Sequence, residues 1–243
     1  MKLIITENYE DSCRKVAEII EEVVANKPDA LLGLATGSSA LGVYDALKAD
    51  FDAKKVDFSK CRTVNLDEYV GLPQSHDQSY SYFMHKNLFD RTNFDESKIF
   101  LIDGEKNGDD EAKRMGDFLA KNYPDMQLLG IGPNGHIGFN EPADVFEMNP
   151  HVTDLTKKTI DANARFFASV NDVPQKAITM GIGNIALAKK TVLIAAGDSK
   201  AEVLGRLFKD DVIDPQLPCS ILKIHPDAII VADKALAKKA GLL

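Results

Sequence analysis

Three cysteines in 243 residues is a small number, and Cys13, Cys61 and Cys219 stand far apart. They form no Cys-x-x-Cys and no even-numbered framework, which excludes a disulfide scaffold and a cysteine-based metal motif. Each reads as a small buried apolar side chain in a reducing cytosol. Cations are also scarce, with 29 Lys and Arg against 37 Asp and Glu and a net charge of −8. Binding a nucleic-acid backbone needs clustered positive charge, so no nucleic acid is expected as a partner. No run approaches the ~18 apolar residues of a membrane span, and Met1–Thr6 lacks the apolar core of a signal peptide. No membrane association and a cytoplasmic location are therefore expected. The absence of a Ser- or Pro-rich linker favours one domain over residues 1–243.

What the chain does have is alternation. Short apolar runs at Lys2–Thr6, Ala30–Leu34, Cys61–Asn65, Lys98–Ile102, Gln127–Ile131, Lys176–Gly181, Thr191–Ala196 and Ala228–Ala232 read as strands. Most are nearly continuous hydrophobic segments, as in strands buried on both faces. Helical spacing fills the intervals, for example Val16, Ile19, Ile20, Val23 and Val24. The pattern predicts an α/β fold, a single-domain open and mostly parallel Rossmann-like sheet with helices on both faces. The polar, helix-poor stretch Ala143–Val173 is expected to be a mobile lid segment.

Three strand-end motifs carry chemistry. Ala35-Thr36-Gly37-Ser38-Ser39 leads from a strand into a helix, which makes an anion site or a plain serine cap. No Gly-Lys-Ser/Thr follows, so it is not a nucleotide P-loop. Asp67 and Glu68 end another strand, and adjacent side chains of an extended chain face opposite ways. One of the two carboxylates can therefore enter a cleft while the other serves structure. Gly130-Ile131-Gly132-Pro133-Asn134-Gly135-His136-Ile137-Gly138-Phe139-Asn140-Glu141-Pro142 places a histidine in a glycine-rich loop, with a carboxylate five residues on. That suits proton transfer near neutral pH. A metal site would have only His136 and Glu141 as ligands, so none is expected, and a structural histidine is the plain alternative. Arg165 in the lid stretch and Lys200 after a strand are candidate anion holders.

Taken together these strings resemble the glucosamine-6-phosphate deaminases. Thr36-Gly37-Ser38, Asn65-Leu66-Asp67-Glu68-Tyr69-Val70-Gly71-Leu72, His136-Ile137-Gly138-Phe139-Asn140-Glu141-Pro142, Asn163-Ala164-Arg165-Phe166-Phe167 and Ser199-Lys200-Ala201 carry the likeness over nearly the whole chain. The resemblance implies conversion of glucosamine 6-phosphate and water to fructose 6-phosphate and ammonia, with no metal or organic cofactor and a sugar phosphate as the small-molecule partner. It implies that His136 opens the sugar ring, with Glu141 and Asn134 orienting its imidazole. It implies that Asp67 moves the proton from C2 to C1, and that Thr36, Gly37, Ser38, Ser39, Arg165 and Lys200 hold the phosphate. Many members of the family have Asp where this chain has Asn134, and an amide accepts a hydrogen bond without adding charge. Allosteric hexamers carry basic residues after the Asn-Glu-Pro string, whereas Ala143–Thr156 has no Lys or Arg. A monomer or low-order oligomer is expected. A galactosamine-6-phosphate deaminase, a 6-phosphogluconolactonase-like hydrolase and a non-enzymatic sugar-phosphate sensor remain the alternatives.

Overall fold

The computed structural model describes residues 1–157, 159, 160, 164, 167, 169 and 172–243. Its strands in chain order are β1 (Lys2–Thr6), β2 (Leu31–Leu34), β3 (Arg62–Asn65), β4 (Asp67–Tyr69), β5 (Ile99–Phe100), β6 (Met126–Leu129), β7 (His151–Asp154), β8 (Lys176–Thr179), β9 (Thr191–Ala195) and β10 (Ala228–Asp233). The helices are α1 (Tyr9–Asn26), α2 (Ser38–Asp52), α3 (Tyr80–Asn87), α4 (Gly108–Leu119), α5 (Ile182–Ala186), α6 (Ala201–Lys209) and α7 (Lys234–Lys239). Among the described residues no helix is long and apolar enough to cross a membrane.

Seven strands form a wholly parallel sheet in the order β1-β10-β9-β6-β2-β3-β5. β2, β6 and β9 are buried at every residue, in keeping with sequences that are apolar but for Gln127 and Thr191. Helices layer over the sheet, with α1 packed on α2 and α6 on α7. α1 shows why: Asn8 caps its start by accepting the Asp11 N–H, and Val16, Ala17, Ile20 and Val24 bury one stripe. Each buried Val or Ile of the stripe contributes about 1.5–3 kcal/mol. All three cysteines are buried and unpaired, as small apolar residues are.

Strand order reverses between β2 and β6. From β2 the chain works outward through β3 and β5, then returns to β6 and proceeds the other way through β9 and β10. In open α/β sheets ligands bind at such a switch point, beyond the carboxyl ends of the strands. The loops after β2 and β6 hold two of the three sequence motifs.

Two expectations need correction. Lys176–Thr179 is a strand, but it lies at the centre of a second, antiparallel sheet, β4-β8-β7, rather than in the parallel one. The expected lid contains β7, and its His151–Asp154 is paired residue by residue with β8, so that part of 143–173 is sheet. Polar alternation hid it, because the burial of β7 is only partial. Leu66 joins the two sheets. Its N–H donates to Leu34 O of the large sheet at 3.1 Å, while its carbonyl accepts from Met180 N–H, just beyond β8, at 2.7 Å.

Candidate active site

The β2 loop delivers a helix start with free donors. Gly37 precedes α2 with φ 98°, a conformation that side-chain-bearing residues rarely adopt. No side chain caps α2 and its first turn has no acidic residue, whereas Asn107 caps α4 and Asp109, Asp110 and Glu111 follow. Ala40 N–H donates to Gly37 O at 3.1 Å, and the N–H groups of Ser38 and Ser39 are left to an outside acceptor, for which the helix dipole favours an anion. The buried Tyr44 hydroxyl donates to Ala35 O at 2.5 Å and fixes the loop that leads there.

At the end of β3 the chain changes sheets at Leu66, and the two carboxylates part company. Asp67 faces the cleft, and burial followed by the nearby Glu68 charge pushes its carboxyl up to about 8. Glu68 turns inward and accepts the N–H groups of Tyr69, Tyr80 and Ser81 at 2.8–2.9 Å, so it fastens the start of α3. Burial nonetheless raises Glu68 to about 7, against the lowering effect of those three bonds.

The β6 loop supplies the histidine. A Cβ on Gly132 would lie 2.2–2.4 Å from three atoms of the His136 ring, so only glycine leaves the imidazole its place. Gly135 has φ 92° and its carbonyl accepts from Cys219 N–H at 2.9 Å, which anchors the turn. Glu141 Oε1 lies 3.1 Å from His136 Nδ1, off the direction of a straight hydrogen bond. Burial works against the Glu141 charge, but His136, Asn134 and Thr159 outweigh it and hold the carboxyl below its usual range.

Asn134 departs from its expected place. Its amide does not bond the imidazole; Nδ2 donates to Glu141 Oε2 at 2.5 Å, and Oδ1 receives the backbone N–H of His136 at 3.3 Å. The reason is steric: Asn134 is two residues before His136 in a tight turn, so it reaches the backbone and the carboxylate rather than the ring. Its amide is thus linked to the imidazole only by way of Glu141.

A cavity of about 200 Å³ joins these parts. Thr36, Gly37, Ser38, Ser39, Asp67 and His136 line it together, while Asn134 and Glu141 stand behind the histidine. Lys200 ends a short 3-10 turn after β9, on the same edge of the sheet, but is not in the cavity lining. Arg165 lies outside the described residues. His225 is structural, with Nε2 on Ala188 O at 2.7 Å and Nδ1 accepting Asp227 N–H at 3.1 Å. Ile131 and Phe139 of the histidine loop also line the cavity, as does Tyr80, which lies outside all three sequence motifs. Tyr80 stacks on Phe139 with ring centroids 5.9 Å apart. The cap residue Ser79 signals a helix start there, but nothing local marks the tyrosine as a cleft wall.

The fold and cleft together define a doubly wound α/β protein in which a buried acid and a histidine share one cavity with an uncapped helix start. The chain belongs to the glucosamine-6-phosphate isomerases/6-phosphogluconolactonase family, whose family model matches residues 6–231. It is 44% identical over 240 residues to a glucosamine-6-phosphate deaminase of Clostridium perfringens, covering 98% of this chain and 99% of that one. A solved structure described as a monomeric glucosamine-6-phosphate deaminase superposes with a TM-score of 0.94 at 37% identity, covering 98% and 100% of the two chains. A 6-phosphogluconolactonase from Trypanosoma brucei shares the fold at a TM-score of 0.77 and 16% identity, over 98% and 97% of the chains.

Proposed function

We infer that this chain is a glucosamine-6-phosphate deaminase, converting glucosamine 6-phosphate and water to fructose 6-phosphate and ammonia. The observation that carries the reading is the convergence of Asp67, His136 and the uncapped start of α2 on one cavity. That cavity, about 200 Å³, is smaller than the ~300–1,000 Å³ typical of drug-sized sites and suits one small metabolite. The 16% identity to the lactonase supports a shared fold only.

In this reading the N–H groups and hydroxyls of Thr36–Ser39 hold the phosphate, with Lys200 and Arg165 as further cations. Anchoring one end of the sugar fixes where its reacting carbons lie. His136, oriented by Glu141, moves the proton from O1 to O5 as the C1–O5 bond breaks and the ring opens. Asp67 then takes the proton from C2 and returns one to C1, passing through an enolamine to the ketimine. Water adds to the C2 carbon and the C–N bond breaks, releasing ammonia. A buried carboxylate with raised proton affinity is a stronger base for this than a solvated one, and the substrate's C2 ammonium favours its ionised form. Activity as a monomer, in the cytoplasm, with a role in N-acetylglucosamine breakdown and no nucleic-acid partner, completes the proposal. The monomer is supported by the cation-free stretch 143–156 and by the monomeric neighbour.

The test is ammonia release from glucosamine 6-phosphate, followed by coupling to glutamate dehydrogenase. Turnover that requires both Asp67 and His136 supports the reading. Tight binding without ammonia would make the protein a sensor, and faster turnover of galactosamine 6-phosphate would reassign the substrate.

A further inference from the structure

We propose that Tyr9 is a positioning residue for the anion-receiving turn of α2, acting from outside the cavity through its hydroxyl. Tyr9 opens α1 and its half-buried ring packs on the core. The hydroxyl crosses to α2 and donates to Ser38 O at 3.0 Å, with Ser39 O at 3.3 Å sharing the proton. It accepts in turn from Gly42 N–H at 3.4 Å. In a regular helix the Ser38 carbonyl receives that same Gly42 N–H, so the hydroxyl is an added rung across the first turn of α2.

The rung matters because of what the turn lacks. Gly37 contributes no side-chain cap, and a capping residue would in any case occupy an N–H needed for a ligand. Tyr9 stabilises the same turn through its carbonyls and leaves the N–H groups of Ser38 and Ser39 free. The surroundings make room for this bridge: a Cβ on Gly42 would meet Cys13 Sγ at 2.6 Å and the Tyr9 hydroxyl at 3.2 Å. The ring is held by the packing of α1 on α2, so its hydroxyl is placed before any ligand arrives. Tyr9 does not line the cavity, and its effect passes through Ser38 and Ser39, which do.

This proposal rests on the phosphate site inferred above. The variant is Tyr9→Phe, which keeps the ring and removes one hydroxyl. A hydrogen bond of this kind is worth about a fivefold change in an equilibrium constant. The expected result is a KM for glucosamine 6-phosphate raised about fivefold, with kcat changed less than twofold. Calorimetry with inorganic phosphate should show its Kd raised by the same factor. A purely structural tyrosine would lower Tm and leave both KM and the phosphate Kd within about 1.5-fold of wild type, and that result would overturn the proposal. A fall in kcat with KM unchanged would overturn it equally. Should the wild type release no ammonia, the deaminase reading fails, while phosphate calorimetry on both proteins still decides the role of Tyr9.

Discussion

Replacing Asp67 with Asn should make the protein inactive and, at alkaline pH, more stable. Asp67 is 7% exposed and its carboxyl is raised from 3.8 to about 8. The folded chain therefore retains a proton that the unfolded chain has already released. Stability from this group is fully present below about pH 4 and is lost as pH rises through about 8. A shift of about four units sets a ceiling near 6 kcal/mol at ~1.4 kcal/mol per unit. Solvent entering the cavity screens the charge, so about 3 kcal/mol is the expected size. Asn has the same shape and nothing to ionise. Urea unfolding from pH 4 to pH 9 should show the two proteins alike at pH 4, with the variant ahead by about 3 kcal/mol at pH 9. Its kcat should fall by at least about 10³-fold, the loss of a positioned base. A stability difference that stays flat across this range would refute the argument that the fold penalises this charge.

Three further perturbations probe the site's supports. Gly132→Ala should displace the imidazole and lower kcat by about 100-fold with an unchanged circular dichroism spectrum, since misplacement alone costs that much. A kcat near wild type would show that the ring has another place to go. Asn134→Asp sets a second carboxyl against Glu141 in place of an N–H donor, so the pair must share a proton and the acid limb of the pH–rate profile should move to higher pH. Superimposable profiles would rule this out. Ser79→Ala removes the α3 cap, in which the Ser79 hydroxyl oxygen accepts Tyr82 N–H at 3.0 Å. About 1 kcal/mol of stability should go with it in denaturant unfolding, and no measurable change would count against the cap.

Much of this architecture is legible in the chain because buried parallel strands leave little choice of side chain. Ala30–Leu34 and Thr191–Ala196 announce themselves by unbroken hydrophobicity, and their loops carry the anion motif and Lys200. The division of labour between Asp67 and Glu68 follows from strand geometry, and the structure sends one to the cleft and the other to α3. The second sheet is less legible. β4 is three residues long and β7 is half exposed, so neither has the period or the burial that a pattern can register. The partner of Asn134 is not legible in the chain, because sequence proximity to His136 does not say which atom an amide can reach. Tyr80 and Tyr9 are silent for a related reason: each meets its neighbours, Phe139 and Ser38, across a long separation in sequence.

The change of sheet at Leu66 has a consequence for molecular length. Asp67 rides on the small sheet, and Thr179 Oγ1 of β8 accepts Phe139 N–H at 3.0 Å, tying the far end of the histidine loop to the same body. The α2 turn hangs from β2 of the large sheet. A ligand held at both ends is thus gauged like a rod in a caliper, one jaw carried by each sheet. Tilting the small sheet against the large one would reset the carbon count the opening accepts, with every reactive side chain unchanged.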